Sequence, residues 1–456
     1  MASQARLGSD LTEGKVSSQL IRFAIPFMLS NGLQTVYSMV DMLVVGRFVG
    51  SAGLSAVSIS SMLVMLMTTL CMGFATSGQV YIAQLVGLGA RDKLNRTIGT
   101  LFTTIIAFAV AMTAVGLTLS RPLLQLLNTP AESFPEAMDY MLICSGCIVF
   151  TYGYNMVSAV LRGMGDSKNP LLFIAIASAV NVVLDLLFVG VLGWRVAGAA
   201  WATIIGQAVS FLVSLVFLYR RRAAFGFDFK LKSYAIDRPT LKTLVKLGIP
   251  FAIQMSVINI SMLFVNRFIN DFGVYASATF GTGGKIQQVP DILTRSIGMA
   301  TSGMVGQNLG AGKVERAAKT VHVGLYICAA IYAVAAVLFL AFPRQIFSLF
   351  TSDVEVIDLA WIYALTAVIS YLAHALMSPC NAFVQGLGDA KFSLIVAILD
   401  GFVARISFSV LLGIVLKLGL FGFFLGFNLA TYVTAIPTAI YFFAGRWKKR
   451  ALLVEK

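Results

Sequence analysis

Charged residues are scarce in this sequence: only 12% of its 456 residues are Asp, Glu, Lys or Arg, against about 25% in a typical soluble domain. Histidine occurs twice, and neither residue belongs to an H-E-x-x-H motif, which excludes that class of zinc protease. The motif G-x-x-x-x-G-K-[S/T] is absent too, which excludes a P-loop ATPase. We therefore expect neither an enzyme nor a bound cofactor.

Cysteine is also rare, and its positions argue against disulfides. All five cysteines lie in strongly apolar stretches: Cys71, Cys144, Cys147, Cys328 and Cys380. Cys144 and Cys147 have C-x-x-C spacing, but no second pair and no nearby histidine accompany them. We expect these thiols to pack as small apolar side chains.

Apolar residues are abundant instead, at 58% of the chain with a mean hydropathy of +0.86. A helix needs about 20 apolar residues to cross the hydrocarbon of a bilayer. Twelve segments meet this requirement, at about 18–47, 54–85, 97–120, 136–161, 170–192, 196–219, 242–269, 275–308, 321–342, 356–385, 393–415 and 420–445. The sequence thus predicts an all-α integral membrane protein with twelve transmembrane helices.

The net charge of +14 is distributed unevenly along the chain. Most Lys and Arg residues lie before the first segment, in the even-numbered loops and after the last segment, as in the stretch from Arg220 to Lys246. This positive-inside pattern predicts that both termini are cytoplasmic. We expect a multi-pass protein of the inner or plasma membrane with no nucleic-acid partner. The first 15 residues lack the apolar core of a signal peptide, so we expect the first helix to be retained.

The chain repeats itself. The sequence LRGMGDSK at 161–168 recurs as VQGLGDAK at 384–391, ATSGQV at 75–80 recurs as ATSGMV at 300–305, and AIPF at 24–27 recurs as GIPF at 248–251. Each half contains six predicted helices, so the two halves are parallel repeats related by an axis along the membrane normal. We predict an N-terminal lobe at 1–219, a cytoplasmic linker at 220–241 and a C-terminal lobe at 242–456.

Two carboxylates lie inside apolar segments of the first half. A charge at the bilayer centre costs about 3 kcal/mol on insertion scales, so Asp41 and Asp185 are expected to face a shared interior. The second half has Ser261 and Phe408 at the corresponding positions. Because a purely structural carboxylate would be needed in both bundles, this comparison favours a functional role.

Polar residues at helical spacing accompany these carboxylates, and the predicted cluster consists of Asp41, Asn155, Asn181, Asp185 and Thr203. A buried carboxyl pair can bind and release protons, and the same oxygens can bind a hard monovalent cation. The sequence leaves both possibilities open.

The second half has polar stripes of its own. Lys285, Gln288, Asp291 and Arg295 follow one side of the eighth segment, and His374 begins a stripe in the tenth. The alternative is simple pairing of Lys285 or Arg295 with Asp291. Asp400 and Arg405, five residues apart, do not share a face of an α-helix and receive no predicted role.

These features together resemble the MATE (multidrug and toxic compound extrusion) family, in particular its DinF-like bacterial branch. The resemblance rests on the six-plus-six duplication, the early IPF proline, Q-x-x-G-x-G after the second and eighth segments and GxGD after the fourth and tenth. It implies a secondary active antiporter that exports organic cations and amphiphiles in exchange for H⁺ or Na⁺ by alternating access.

The resemblance also implies site residues. The cation-coupling cluster, with a possible Na⁺ site, matches Asp41, Asn181, Asp185 and Thr203, with Asn155 beside them. Gln34 and Tyr37, together with Lys285, Gln288, Asp291 and His374, are candidates for substrate binding. The seventh segment contains no acid, which argues against the branch that uses a glutamate there. We expect a monomer.

Two other functions stay open at this point. A flippase for lipids or lipid-linked oligosaccharides in the same superfamily would use basic residues such as Lys285, Arg295 and Arg405 to bind phosphate groups. A channel or non-transporting receptor is the second alternative, although a carboxylate site confined to one bundle suits a carrier better.

Overall fold

A computed structural model describes residues 8–449 and 452–453 of the chain. The chain termini, which the sequence predicts to be cytoplasmic, lie largely outside the described residues. The described part is almost entirely helical.

Twelve long helical segments follow one another along the chain. They are α1 (Val16–Phe48), α2 (Ser51–Leu88), α3 (Arg91–Leu126), α4 (Phe134–Gly146 and Ile148–Gly163), α5 (Lys168–Val191), α6 (Arg195–Arg220), α7 (Arg238–Asn270), α8 (Val274–Gly310), α9 (Val314–Ala341), α10 (Ala360–Leu387), α11 (Ala390–Val415) and α12 (Gly419–Phe443). Short helices lie between them at Arg222–Phe225, Leu231–Tyr234, Pro343–Ser348 and Val354–Asp358, and a last one spans Arg446–Lys449.

The predicted membrane-crossing segments correspond to these helices. Among the described residues, nine helices are long and apolar enough to cross a bilayer, and α4, whose two parts are bent by 51°, is a tenth. The remaining two, α1 and α8, are 33 and 37 residues long but contain most of the polar stripes noted above. The prediction of an all-α fold with two six-helix bundles is confirmed by the comparison with solved structures given below.

Two of the helical segments, α5 and α11, contain π-helical turns, three in all among the described residues. One π-helical turn, Leu186–Val191, begins directly after Asp185 in α5, and α11 contains two more at Leu399–Arg405 and Leu411–Val415. A π-helical turn shifts the register from four residues to five, so side chains five apart come to one face. This local change decides which polar residues meet in α11.

The repeated GxGD motif forms the same turn in both halves. Gly165 and Gly388 have φ of 85° and 81°, a left-handed conformation that favours glycine. The following Asp166 accepts hydrogen bonds from the backbone N–H groups of Lys168 and Asn169, and Asp389 accepts one from Phe392. The motif therefore stops one helix and caps the next.

The chain divides into two compact units. One contains Pro26–Ala252 with the residues before Leu11, and the other contains Leu11–Ile25 with the residues from Ile253 onward. The divisions within α1 and α7 thus fall at or beside Pro26 and Pro250, the repeated prolines. The stretch predicted as the linker, 220–241, belongs to the first unit.

Each unit has its own apolar interior. Large buried side chains of the first unit include Tyr152, Phe173 and Phe225, and those of the second include Phe383 and Phe442. In each unit the packing of these side chains fixes the positions of the helices that carry the polar residues described next.

Candidate functional site

The candidate site lies within the first unit, where α1, α5 and α6 present polar side chains to one another. Asp41 comes from α1 and is 8% exposed, while Asp185 comes from α5, at the start of the π-helical turn, and is fully buried. Asn181 lies one turn before Asp185, and Thr203 of α6 faces Asn181. The structure therefore brings together four of the five residues predicted for cation coupling.

The two carboxyl groups are neighbours. Asp41 and Asp185 are close enough to interact electrostatically with each other, and neither forms an ion pair with a Lys, Arg or His residue in the part of the chain that the structure describes. Two carboxylates in contact repel one another unless a proton or another cation lies between them. The pair is therefore a place where one positive charge is needed.

Neutral oxygen atoms surround this pair. The Asn181 Nδ2 atom donates to the Thr203 hydroxyl at 3.3 Å. The Oδ1 atom of Asn181, the Oγ atom of Ser178 and the Oε1 atom of Gln207 are buried without a hydrogen-bond partner, as are both carboxyl oxygens of Asp185. Buried polar atoms are nearly always satisfied in proteins, so this concentration of unsatisfied acceptors indicates a site for a cation or a proton.

A small cavity lies beside the neutral groups, and neither Asp41 nor Asp185 is among the residues that line it. It is lined by Tyr37, Ala177, Ser178, Asn181, Thr203 and Gln207, and it offers space for about one water molecule. Its hydroxyl and amide oxygen atoms are ligands that suit a hard cation such as Na⁺. No group of three or more His, Cys, Asp or Glu side chains that could hold a metal ion occurs among the described residues.

The other residues predicted for the first half take different positions. Tyr37 lines the cavity, and Gln34, one turn earlier on α1, is exposed. The Asn155 Nδ2 atom donates to the carbonyl of Thr151 in its own helix at 2.8 Å. Asn155 is also not among the residues that line the cavity.

Sequence reasoning overlooked Gln207 and gave Ser178 no role. A signal for Gln207 was present, because it lies four residues after Thr203 on the same face of α6. Ser178 is likewise three residues before Asn181. The side chains of neighbouring helices, rather than any local motif, decide that these atoms meet.

The second unit has a separate polar group built on α8, α9 and α10. The Tyr332 hydroxyl donates to Asp291 Oδ1 at 2.7 Å and lies 3.1 Å from the Thr294 hydroxyl. The ring of Tyr332 packs against Tyr371 and His374, with centroid distances of 5.2 Å and 5.7 Å. Asp291 thus has a neutral tyrosine partner and aromatic surroundings.

The alternative pairing of Asp291 with Lys285 or Arg295 is not observed among the described residues. Lys285, Gln288 and Arg295 are exposed on α8. Asp291 is therefore a carboxylate whose negative charge is not neutralised by a cationic side chain of the described residues.

The prediction that Asp400 and Arg405 do not share a face is wrong. In the π-helical turn Leu399–Arg405, Arg405 Nη2 lies 2.9 Å from Asp400 Oδ1, and both side chains are buried. Thr434 donates to the other carboxyl oxygen at 2.9 Å, and the guanidinium lies 4.6 Å from the centre of the Phe427 ring. The wider register brings positions five apart together. Arg405 is thereby neutralised, which weakens the case for a phosphate-binding flippase.

Comparison with known sequences gives a consistent result. The profile of the family described as MatE matches residues 26–187 and 250–411, one match in each half. The probable multidrug resistance protein YpnP of Bacillus subtilis (strain 168) is 30% identical over 451 residues, covering 98% of this chain and 99% of that protein. The probable multidrug resistance protein NorM of Thermotoga maritima is 24% identical over 454 residues, covering 97% and 95%.

Solved structures show the same fold. A MOP superfamily transporter from Pyrococcus furiosus superposes with a TM-score of 0.91 at 23% identity, covering 98% of this chain and 100% of that chain. A MATE transporter in the straight conformation gives a TM-score of 0.90 at 23% identity with the same coverage. At this identity the likeness establishes the architecture, and the site must be argued from the residues present here.

Proposed function

This chain belongs to the MatE family of membrane transporters, and from that premise we propose that it is a secondary active antiporter that exports organic cations and amphiphiles in exchange for H⁺ or Na⁺. The names of its relatives, which describe multidrug resistance and export proteins, support the substrate class. The support for the coupling mechanism comes from the residues of the site.

One observation carries the proposal: two interacting carboxyl groups, Asp41 and Asp185, lie among unsatisfied oxygen atoms and form no ion pair with a cationic side chain of the described residues. Within a membrane such a pair is costly unless it binds a cation during function. A charge that crosses a potential of 100 mV gains about 2.3 kcal/mol. A cation entering this site from outside can therefore drive export of a substrate.

The proposed cycle follows from charge balance. In the unprotonated, cation-free state the pair carries excess negative charge, which favours uptake of a cationic substrate from the cytoplasm. Binding of one H⁺ or Na⁺ from outside lowers the negative charge of the Asp41–Asp185 pair from two to one and weakens that attraction. The substrate then leaves outward, and the coupling ion leaves inward to complete alternating access.

We propose candidate substrate contacts within each unit separately. Tyr37 and Gln34 stand on the same helix as Asp41. In the second unit, Asp291 lacks a cationic partner among the described residues and accepts a hydrogen bond from Tyr332, whose ring packs against Tyr371. A carboxylate combined with aromatic rings is suited to an organic cation. His374, and Lys285 and Gln288 on α8, complete the set.

The decisive experiment is efflux of a fluorescent organic cation from proteoliposomes under an imposed proton or sodium gradient, with Asp185→Asn compared with the parent. We expect Asp185→Asn to lose at least about tenfold in gradient-driven efflux, the effect of removing about 1.4 kcal/mol of coupling. The gradient that drives the parent identifies the coupling ion.

Asp139→Asn is the matched control, because Asp139 is an exposed carboxylate with no assigned role. It should transport like the parent. If Asp185→Asn also transports like the parent, the carboxylate is structural and the proposed coupling is wrong. If the parent moves no cation under either gradient, the antiporter proposal itself fails, and transport of a phosphate-bearing lipid becomes the activity to measure.

A further inference from the structure

The segment of residues 219–242, which joins α6 to α7 and includes the end of α6 and the start of α7, has no role in the transport cycle described above. It contains seven basic residues, Arg220, Arg221, Arg222, Lys230, Lys232, Arg238 and Lys242, and only two acidic ones, Asp228 and Asp237. All seven basic side chains are exposed, and within the described part of the chain none of them forms a salt bridge.

The segment is held against α3 rather than extended into solvent. Thr103 donates to the carbonyl of Tyr234 at 2.7 Å, and the backbone N–H of Asp237 donates to the Thr100 hydroxyl at 3.0 Å. Phe227 is 1% exposed and stacks on Phe102 with ring centroids 5.9 Å apart. These contacts fix the segment in position along the helix.

That position corresponds to the edge of the apolar region. In α3 the uncharged run begins after Arg96, and the segment contacts Gly99, Thr100 and Thr103, within the first two turns of this run. At 1.5 Å per residue, these contacts lie about 5 to 11 Å inside the run. The segment is therefore at the depth where the cytoplasmic headgroups of a bilayer meet the hydrocarbon.

A large apolar side chain projects from the segment at this depth. Leu231 is 92% exposed and stands between Lys230 and Lys232 at the start of the short helix Leu231–Tyr234. Ile236 is 48% exposed. At a water-facing surface such a side chain would gain nothing, but at a membrane interface it can insert beside the acyl chains while the lysines reach the phosphates.

The end of α6 has the same character. The guanidinium groups of Arg221 and Arg222 lie 5.5 Å and 5.0 Å from the ring centres of Phe217 and Tyr219. Aromatic and basic residues in this combination are typical of the membrane interface.

The two acids offset only part of this charge: seven basic and two acidic residues leave an excess of five positive charges, and the oxygens of both acids accept local hydrogen bonds. Asp237 accepts hydrogen bonds from the side chain and backbone of Thr240, and these bonds hold its pKa below the usual range. Asp228 accepts from Ser233 and from the backbone N–H of Lys230, which lower its pKa as well. Both acids serve to shape the turn.

We propose that residues 219–242 form an anchor for anionic phospholipids of the cytoplasmic leaflet, with Leu231 inserted at the headgroup boundary and the surrounding Lys and Arg residues bound to lipid phosphates. Charge complementarity identifies this occupant, since each basic residue near an anionic membrane surface contributes about 1 kcal/mol. The anchor also explains why the segment is rigidly docked at interfacial depth.

The test measures the depth of residue 231. Leu231→Cys in a Cys147→Ser background is labelled with a nitroxide, because Cys147 is the native cysteine that is not fully buried. The protein is placed in vesicles of phosphatidylcholine alone or with 30% phosphatidylglycerol, and collisions with oxygen and with an aqueous nickel complex are compared. Asp92→Cys is the matched control, since it lies seven residues, about 10 Å, before Gly99 on the same helix.

The expected result is that the label at 231 is shielded from the nickel complex in the anionic vesicles and accessible to oxygen, whereas the label at 92 remains accessible to nickel. Replacing Lys230 and Lys232 by Gln should reduce the shielding at 231 by at least about twofold. Equal nickel accessibility at 231 and 92 would overturn the proposal. So would shielding that is the same in neutral vesicles, or shielding from both reagents, since the latter means that protein covers the residue.

Discussion

At the scale of single residues, the informative feature is the number of oxygen atoms left without partners around Asp41 and Asp185. An unsatisfied buried carbonyl or hydroxyl costs about 1–3 kcal/mol, and several such atoms meet here. The second half has none of the same groups: Phe408 stands opposite Asp185 and Ala430 opposite Gln207. This asymmetry between the halves of one chain supports the proposed role of these groups in transport.

Gln207 separates this interpretation from a structural one. We expect Gln207→Leu to raise the concentration of coupling ion needed for half-maximal efflux by about fivefold, the effect of losing one ligand worth about 1 kcal/mol. The melting temperature in detergent should stay the same or increase, because the variant removes an unsatisfied carbonyl.

The control is Asn428→Leu, which replaces another buried amide whose Nδ2 atom donates within its own helix. It should leave the ion dependence unchanged. A lower melting temperature for Gln207→Leu with an unaltered ion dependence would show that Gln207 supports the fold only.

At the scale of elements, the π-helical turns distinguish the two halves. The turn Leu399–Arg405 in α11 brings Asp400 and Arg405 together, whereas the corresponding residues of α5 are Ala177 and Val182. Ala177 lines the cavity of the first unit. In the second unit, Asp400 is therefore neutralised by the cationic side chain of Arg405. In the first unit, the pair of Asp41 and Asp185 stays available for a cation from outside.

The buried pair in α11 gives a stability prediction. Asp400→Ala should destabilise the second unit by about 3–5 kcal/mol, because it leaves the Arg405 guanidinium buried without a counter-charge. The double variant Asp400→Ala/Arg405→Met should recover most of this loss, since it removes both charges together. Thermal unfolding in detergent measures both.

A single variant that unfolds at the parent temperature would contradict the assigned ion pair. Efflux by the double variant reports on a further point. If it transports like the parent while the single variant is only less stable, the pair is structural, as the geometry indicates.

At the scale of the whole molecule, the duplication and the charge distribution predict on which side of the membrane each loop lies. Both halves begin with a helix that contains a proline. In each of these helices the boundary between the two compact units falls at or beside that proline. The short turn between α5 and α6 and the segment between α6 and α7 must lie on opposite sides of the membrane, because α6 has an uncharged run from Val196 to Tyr219 that is long enough to cross it.

Fusions of alkaline phosphatase test this topology. A fusion after Gly193, in the turn between α5 and α6, should be active because that turn is predicted to face outward. A fusion after Gly226 should be inactive, and a green fluorescent protein fused there should fluoresce. The reverse pattern would refute the predicted orientation and with it the cytoplasmic position of the lipid anchor.

The sequence by itself determined the fold class, the number of segments and the duplication, because these depend on hydropathy and on local turn chemistry. Segment length against bilayer thickness predicts each span, and Gly165 with Asp166 encodes a turn through its own backbone preferences. The burial of Asp41 and Asp185 within the protein was predictable for a related reason, since a carboxylate in an apolar segment is too costly to face lipid.

Only the tertiary structure decided which polar atoms meet. Gln207 and Ser178 join the site because α5 and α6 pack with those faces together, and Asn155 remains with its own helix for the same reason. Asp400 and Arg405 pair because α11 adopts a π-helical register, which a pattern based on the α-helical period cannot anticipate. The side chain of Leu231 acquires its meaning from the docking of its segment on α3, since exposure and depth are properties of packing rather than of sequence.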